Sequence, residues 1–256
     1  MGNVAVLSLL ALQVNSPAAA PFTDTKTAAA VEAEQHRTRP DLSAEVRGDI
    51  AMARKDYRQA VDFYKAVDPA TPIILNKLGI AYHQLTDMQM AARYYQRAIK
   101  IKRDYPEAIN NLGTIYYAQK SYRRAVGLYN RALKITPNSA SIHSNLGTAW
   151  FARKNYEKAS IEYQKALALD PDVFEHRNSN GVLLQERSVD ERAKFHYYLA
   201  KTYAKAGASD RALQYIRKAL EEGFKERKKF VEEPEFASLQ QLPEFKELLT
   251  LNPRVL

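Results

Sequence analysis

Residues 106–139 read PEAINNLGTIYYAQKSYRRAVGLYNRALKITPNS, and residues 140–173 read ASIHSNLGTAWFARKNYEKASIEYQKALALDPDV. Laid one above the other, the two stretches share Asn-Leu-Gly-Thr at an interval of 34, and Leu78-Gly79 lies 34 residues earlier again. Each of Gly79, Gly113 and Gly147 is followed three residues on by an aromatic side chain (Tyr82, Tyr116, Trp150) and twelve on by an alanine (Ala91, Ala125, Ala159). Sixteen residues on comes a tyrosine (Tyr95, Tyr129, Tyr163), and nineteen on a second alanine (Ala98, Ala132, Ala166). A period of about 20–50 residues is the mark of an array of small stacked units.

Within one period the spacing is helical twice over. Ile109, Leu112, Gly113 and Tyr116 fall on one helix face, and Ala125, Leu128, Tyr129 and Ala132 fall on the face of a second. Gly113 and Ala125 are small enough for the two axes to approach, with Tyr116 and Tyr129 filling the space beside them. A single hairpin of this kind leaves an apolar side bare, so each unit must stack on the next and the core runs on through the array.

This pattern resembles the tetratricopeptide repeat (TPR), a helix–turn–helix unit of 34 residues. The resemblance implies an all-α fold, a right-handed superhelical solenoid of antiparallel helix pairs, with about five units at 41–71, 72–105, 106–139, 140–173 and 193–226. The outer two units depart from the pattern. In the first, Arg47 stands where leucine is expected, and in the fifth Ala200 and Ile216 replace the glycine and the tyrosine. Between the last two units lies an insertion, 174–192, reading FEHRNSNGVLLQERSVDER, a candidate loop on one face.

Outside the array, Val4–Val14 is an uncharged apolar run, too short to span a bilayer and placed as a signal-peptide core, with small residues positioning cleavage after Ala18. Residues 1–20 are therefore expected to be a leader and the protein exported, to the periplasm or beyond. The alternative is a cytoplasmic protein with an apolar N-terminal helix, since no Lys or Arg precedes Lys26. Residues 21–40, rich in Ala and Thr, read as a flexible linker. Phe224, Phe230, Phe236, Leu239, Leu242, Phe245, Leu248 and Leu249 provide apolar faces for C-terminal capping helices over 227–256.

Apolar residues make up 46% of the chain and charged residues 26%, a globular composition. The absence of cysteine excludes disulfides, thiolate metal sites and thiol nucleophiles in this sequence. The five histidines (His36, His83, His143, His176, His196) show no metal-ligand spacing, and no glycine-rich loop is left to cradle a phosphate. No catalytic, metal or cofactor site is expected. His143 and His196 occupy a packing slot of the repeat.

In a stacked array the first helix of each unit turns one side to the inner, concave groove. Counting around the helix places Asn76, Lys77 and His83 there from the second unit. Asn110, Asn111 and Tyr117 follow from the third, Asn145 and Phe151 from the fourth, and Tyr198 and Lys201 from the fifth. Asn111 and Asn145 resemble the asparagine ladder by which some TPR proteins hold an extended peptide, an amide being able to donate and accept at once. Glu45 and Asp49 stand where the carboxylate clamp of the chaperone-binding members needs Lys and Asn, so that clamp is not expected.

The sequence carries 38 basic and 29 acidic residues, a net +9, and the interval Arg93–Lys134 holds ten basic and two acidic ones. Most of these belong to second helices, which face outwards, as a solvated surface or one that attracts an acidic partner or a lipid surface. Nucleic acid is disfavoured, because the interspersed tyrosines are core residues and leave no platform for bases. The reading is a non-catalytic interaction scaffold that binds a protein or peptide in its concave groove. The alternative is a basic solenoid that binds nucleic acid or an anionic surface through its convex side.

Overall fold

The described residues, 42–175 and 188–250 of the computed structural model, hold five consecutive helix pairs; residues 1–41, 176–187 and 251–256, and with them the expected leader and linker, lie outside them. The pairs are α1 (Ala44–Ala53) with α2 (Tyr57–Lys65), α3 (Pro72–Gln84) with α4 (Met88–Ile101), and α5 (Pro106–Ala118) with α6 (Tyr122–Ile135). Next come α7 (Ala140–Ala152) with α8 (Tyr156–Leu169) and α9 (Val189–Lys205) with α10 (Ser209–Glu221). No strand occurs among the described residues. The fold is an all-α solenoid of stacked hairpins.

Every hairpin turn contains one left-handed residue, and in the first, second and fourth a side-chain cap follows it. Lys55, Thr86, Lys120 and Lys154 take φ near +60°, and Gly207 takes +76° at the equivalent place. The left-handed conformation costs a non-glycine residue about 1–2 kcal/mol. It is followed by a capping residue: Asp56, Asp87 and Asn155 accept from the backbone N–H of Gln59, Met90 and Lys158. Pro72 and Pro106 open α3 and α5, where a missing N–H leaves no helical bond unmade.

Inside each of the first four hairpins a tyrosine ring lies on a glycine. A Cβ built on Gly48, Gly79, Gly113 or Gly147 would stand 2.4–2.7 Å from Cε1 of Tyr64, Tyr95, Tyr129 or Tyr163. Glycine is therefore required at these sites by the close approach of the ring. Gly113 is small for Tyr129, where the sequence had suggested the approach of two axes at Gly113 and Ala125. Ala91, Ala125 and Ala159 are fully buried beside the rings. Tyr82, Tyr116 and Trp150 are only half-buried, because their ring faces reach the surface and are covered by cations. Arg124 lies over Tyr116 at 5.5 Å, and Arg153 and Lys158 each lie 4.6 Å from the centre of Trp150.

Four residues join α4 to α5 and α6 to α7, so each new hairpin starts beside the end of the previous one. In these seams the first helices α3, α5 and α7 also touch one another in succession. The fifth hairpin breaks the rule. The start of α8 lies against the start of α9, with Tyr156 stacked on Tyr198 at 4.8 Å and under Lys194 Nζ at 4.4 Å. Past the end of α8, Phe174 packs on Tyr203 near the end of α9, and Asp172 pairs with Arg211 at 2.9 Å. Helices α8 and α9 therefore run in the same sense, start beside start. The 19 residues between the ends of α8 and α9, 170–188, are long enough for the chain to return along α8 before α9 begins.

The C-terminal cap is a short helix α11 (Lys229–Glu232), a 3-10 turn (Pro234–Leu239) and a helix α12 (Pro243–Thr250). Phe230, Phe236, Leu239, Phe245 and Leu248 are buried against the fifth hairpin. Tyr197 of α9 lies at the centre, stacked on Phe224 at 4.5 Å, and its hydroxyl donates to Glu233. Lys201 pairs with Glu233 at 2.9 Å and Glu235 at 3.3 Å.

Candidate functional site

The side chains read as groove-lining are mostly engaged with each other. Asn76, Asn110 and Asn145 are buried, at 7%, 6% and 1% exposure. Asn145 Nδ2 donates to Asn110 Oδ1 at 3.0 Å, Asn110 Nδ2 to Asn111 Oδ1 at 3.3 Å, and Asn111 Nδ2 to Asn76 Oδ1 at 3.1 Å. An amide chain thus ties α7 to α5 and α5 to α3. Buried polar groups need such partners, and these find them within the protein. The ladder is a fastening between units, and its rungs occupy part of the hydrogen-bonding capacity of each amide.

The other named residues divide between structural ties and a surface. Lys77 Nζ pairs with Glu45 at 2.8 Å and Asp49 at 2.7 Å, joining α3 to α1. Burial works to raise the Asp49 carboxyl, but hydrogen bonds from Lys77 and Tyr64 and the charge of Lys77 outweigh it and hold it below the usual carboxylate range. His83 is held below its ordinary value by burial. Lys201 belongs to the cap contact, so with α9 reversed it does not extend the row of α3, α5 and α7. Tyr198 does reach the fourth hairpin, 5.9 Å from Phe151, and burial followed by the nearby Tyr156 pushes its phenol up to about 12.

Tyr117 and Phe151 lead to a feature that the sequence did not disclose. Between the turns of the third and fourth hairpins and the start of α9 lies a cleft of about 390 Å³. Tyr117, Tyr122, Phe151 and Tyr156 form its aromatic side, with Ala118 and Ala152 between them. Lys120 and Lys154 from the hairpin turns and Asp190, Glu191 and Lys194 from the start of α9 complete the lining, with Lys194 Nζ over the Tyr156 ring. The rings are packed edge to face, Phe151 on Tyr156 at 5.3 Å and on Phe195 at 5.4 Å, so the walls are preformed. A second cleft, about 530 Å³, opens at the other end of the same junction, between Leu167 and Ala168 on one side and Tyr203 and Ala208 on the other. The signal for both was the insertion itself, which separates α9 from the regular stack.

Of the two packing histidines His143 is buried and His196 half-buried, and each faces a glutamate. His143 Nε2 donates to the Pro137 carbonyl at 2.9 Å, and Nδ1 lies 2.6 Å from Glu162 Oε2. His196 Nδ1 lies 2.8 Å from Glu222 Oε2, and burial holds His196 below its ordinary value. Among the described residues no three His, Asp or Glu side chains gather as metal ligands, and no helix is long and apolar enough to cross a membrane.

These features define a class: an array of stacked helical hairpins with clefts between successive units. Family profiles agree on which array it is, one described as TPR repeat matching residues 113–151 and two described as Tetratricopeptide repeat matching 43–104 and 140–173. The chain is a tetratricopeptide-repeat protein. No curated protein matches it. Similar solved structures include MamA from Desulfovibrio magneticus RS-1, with 21% identity, 71% of this chain and 95% of that one covered, and a TM-score of 0.49. YrrB, described as a TPR protein with an unusual peptide-binding site, shares 21% identity over 50% of this chain and 67% of its own, with a TM-score of 0.45. The first TPR of Spaghetti (RPAP3), solved with the HSP90 peptide SRMEEVD, shares 23% identity over 44% of this chain and 86% of its own, with a TM-score of 0.39.

Proposed function

We propose that the protein is a non-catalytic scaffold that binds a segment of another protein, and that the segment is anchored in the aromatic cleft between the third, fourth and fifth hairpins. The observation that carries this reading is the cleft: four aromatic side chains held by their neighbours, with three lysines and two carboxylates completing the lining. Preformed aromatic walls reduce the ordering cost of binding, and the mixed charges of the lining favour a segment that pairs an apolar side chain with polar or charged neighbours. The amide ladder supports the same reading indirectly, since its Asn145–Asn110 rung fastens the third hairpin to the fourth, two of the three that form the site.

Selection from a displayed random-peptide library on the full chain tests the proposal. Enriched peptides should lose binding to Ala118→Arg and Ala152→Arg, which fill the cleft, while the melting temperature stays unchanged. Retained binding to both variants would show that the segment docks elsewhere. Export is part of the proposal: N-terminal sequencing of the protein from its native cell should begin at Ala19, and an intact start at Met1 would remove it.

A further inference from the structure

The outer sides of α4 and α6 carry a similar arrangement, and α8 continues its apolar end. One stripe of α4 presents Arg93, Arg97, Lys100 and Ile101, and the matching stripe of α6 presents Arg123, Arg131, Lys134 and Ile135. On α8 the equivalents of the last residues are Lys165 and Leu169. Ile101, Ile135 and Leu169 stand one period apart and are 60%, 37% and 43% exposed. An apolar row thus runs across three helices along the edge of a cationic field.

That field is unneutralised. Arg93, Arg97, Lys100, Lys102, Arg103, Arg123, Arg124, Arg131 and Lys134 are all exposed, and none forms an ion pair with a described carboxylate. On α8, by contrast, Lys165 pairs with Glu162 at 2.9 Å, so the unpaired cations belong to α4, α6 and the segments beside them. Between α4 and α6 the field also holds a cleft of about 400 Å³, with Ile99 and Leu112 among its lining and Lys100, Arg103 and Arg131 around it.

We propose that this convex face docks on an anionic lipid bilayer, the basic residues meeting the headgroups and Ile101, Ile135 and Leu169 entering the interface. Cations near an anionic membrane and aliphatic side chains beside them are the two complementary parts of peripheral membrane attachment. Nucleic acid would use the cations but has no use for the aliphatic row. The rings on this side are already occupied, Tyr94 by Tyr82 at 5.3 Å and by Arg97, and Tyr116 by Arg124. The surface is separate from the aromatic cleft, so the proposal stands or falls independently of the peptide reading.

The test is co-sedimentation of the full chain with vesicles of phosphatidylglycerol and phosphatidylcholine, against vesicles of phosphatidylcholine alone. Binding is expected only to the anionic vesicles. Replacing Arg93, Lys100, Arg123 and Lys134 by serine should weaken it about fivefold for each charge removed. The double variant Ile101→Ser, Ile135→Ser keeps every charge and should also weaken it. Equal binding to phosphatidylcholine would overturn the proposal, as would an anionic affinity that the isoleucine variant leaves unchanged. Tighter binding to duplex DNA than to anionic vesicles at the same salt would assign the face to nucleic acid instead. Each variant's unfolding midpoint is measured alongside, and the substituted side chains, all on the exposed stripe, should leave it unchanged.

Discussion

In the second, third and fourth hairpins a first-helix glycine lies under a tyrosine sixteen residues on, four-residue links join these three units to one another, and amides fasten one first helix to the next. In the fifth hairpin Ala200 and Ile216 take the places of glycine and tyrosine, α9 runs along α8 in the same sense, and aromatic stacking replaces the amides. The cap completes the difference, because the fifth hairpin is covered by its own tail where the others are covered by a neighbouring unit. Hairpins of nearly the same pattern can therefore be joined by two chemistries. One fixes register through small residues and hydrogen bonds, and the other accepts a new orientation as long as enough ring surface is buried.

Removing residues 224–256 would test that division most severely. Six buried side chains (Phe224, Phe230, Phe236, Leu239, Phe245, Leu248) leave with the tail, each stabilising by about 1.5–3 kcal/mol. Amide hydrogen exchange should show α9 and α10 losing protection while α3 to α8 keep theirs. Simultaneous loss everywhere would mean that the two regions fold as one and the contrast is only geometric. Within the regular stack, Gly113→Leu places side-chain atoms where the Tyr129 ring lies, and a destabilisation of about 1–3 kcal/mol is expected from the denaturation midpoint. If the variant melts like the parent, the ring is not fixed as described.

A comparable effect, about 1–3 kcal/mol with no loss of helicity, should follow Asn110→Ala, which leaves the Asn145 amide without its acceptor in a buried seam. Hydrogen exchange should localise the change to α5 and α7. The least effect concerns pH. His196 is held below its ordinary value of 6.5 by burial, so at acid pH the unfolded chain takes up a proton that the folded chain resists. Stability should be full above 6.5 and fall as the pH drops towards the folded value, and His196→Gln should flatten that slope. An unchanged slope would transfer the effect to His83, which burial shifts in the same direction.

The hairpins were legible in the sequence because their determinants are local: a glycine and a tyrosine sixteen residues apart belong to one unit and need no knowledge of the next. The asparagines were visible too, but their role lay in a second interval. Asn76 and Asn111, like Asn110 and Asn145, are 35 residues apart, one more than the period, and that extra step turns one amide towards another across the seam. The direction of α9 could not be read, because it depends on where a long connection leads and no periodicity encodes that. For the same reason Lys201 was assigned to the groove, although its partners Glu233 and Glu235 arrive from a tail that folds back over α9. The aromatic cleft shares this origin, since its far wall is the start of the reversed helix.

The amide chain has a polarity that bears on how such a molecule could be lengthened. The second hairpin offers only the receiving amide, Asn76, with Lys77 beside it, and the fourth offers only the giving one, Asn145, with Ser144 beside it. The third hairpin alone has both, Asn110 and Asn111. A tandem copy of 106–139 inserted after itself would thus meet a matching neighbour on either side, while a copy of the second or fourth would interrupt the sequence of donors and acceptors. Growth by duplication has one compatible building block in this chain.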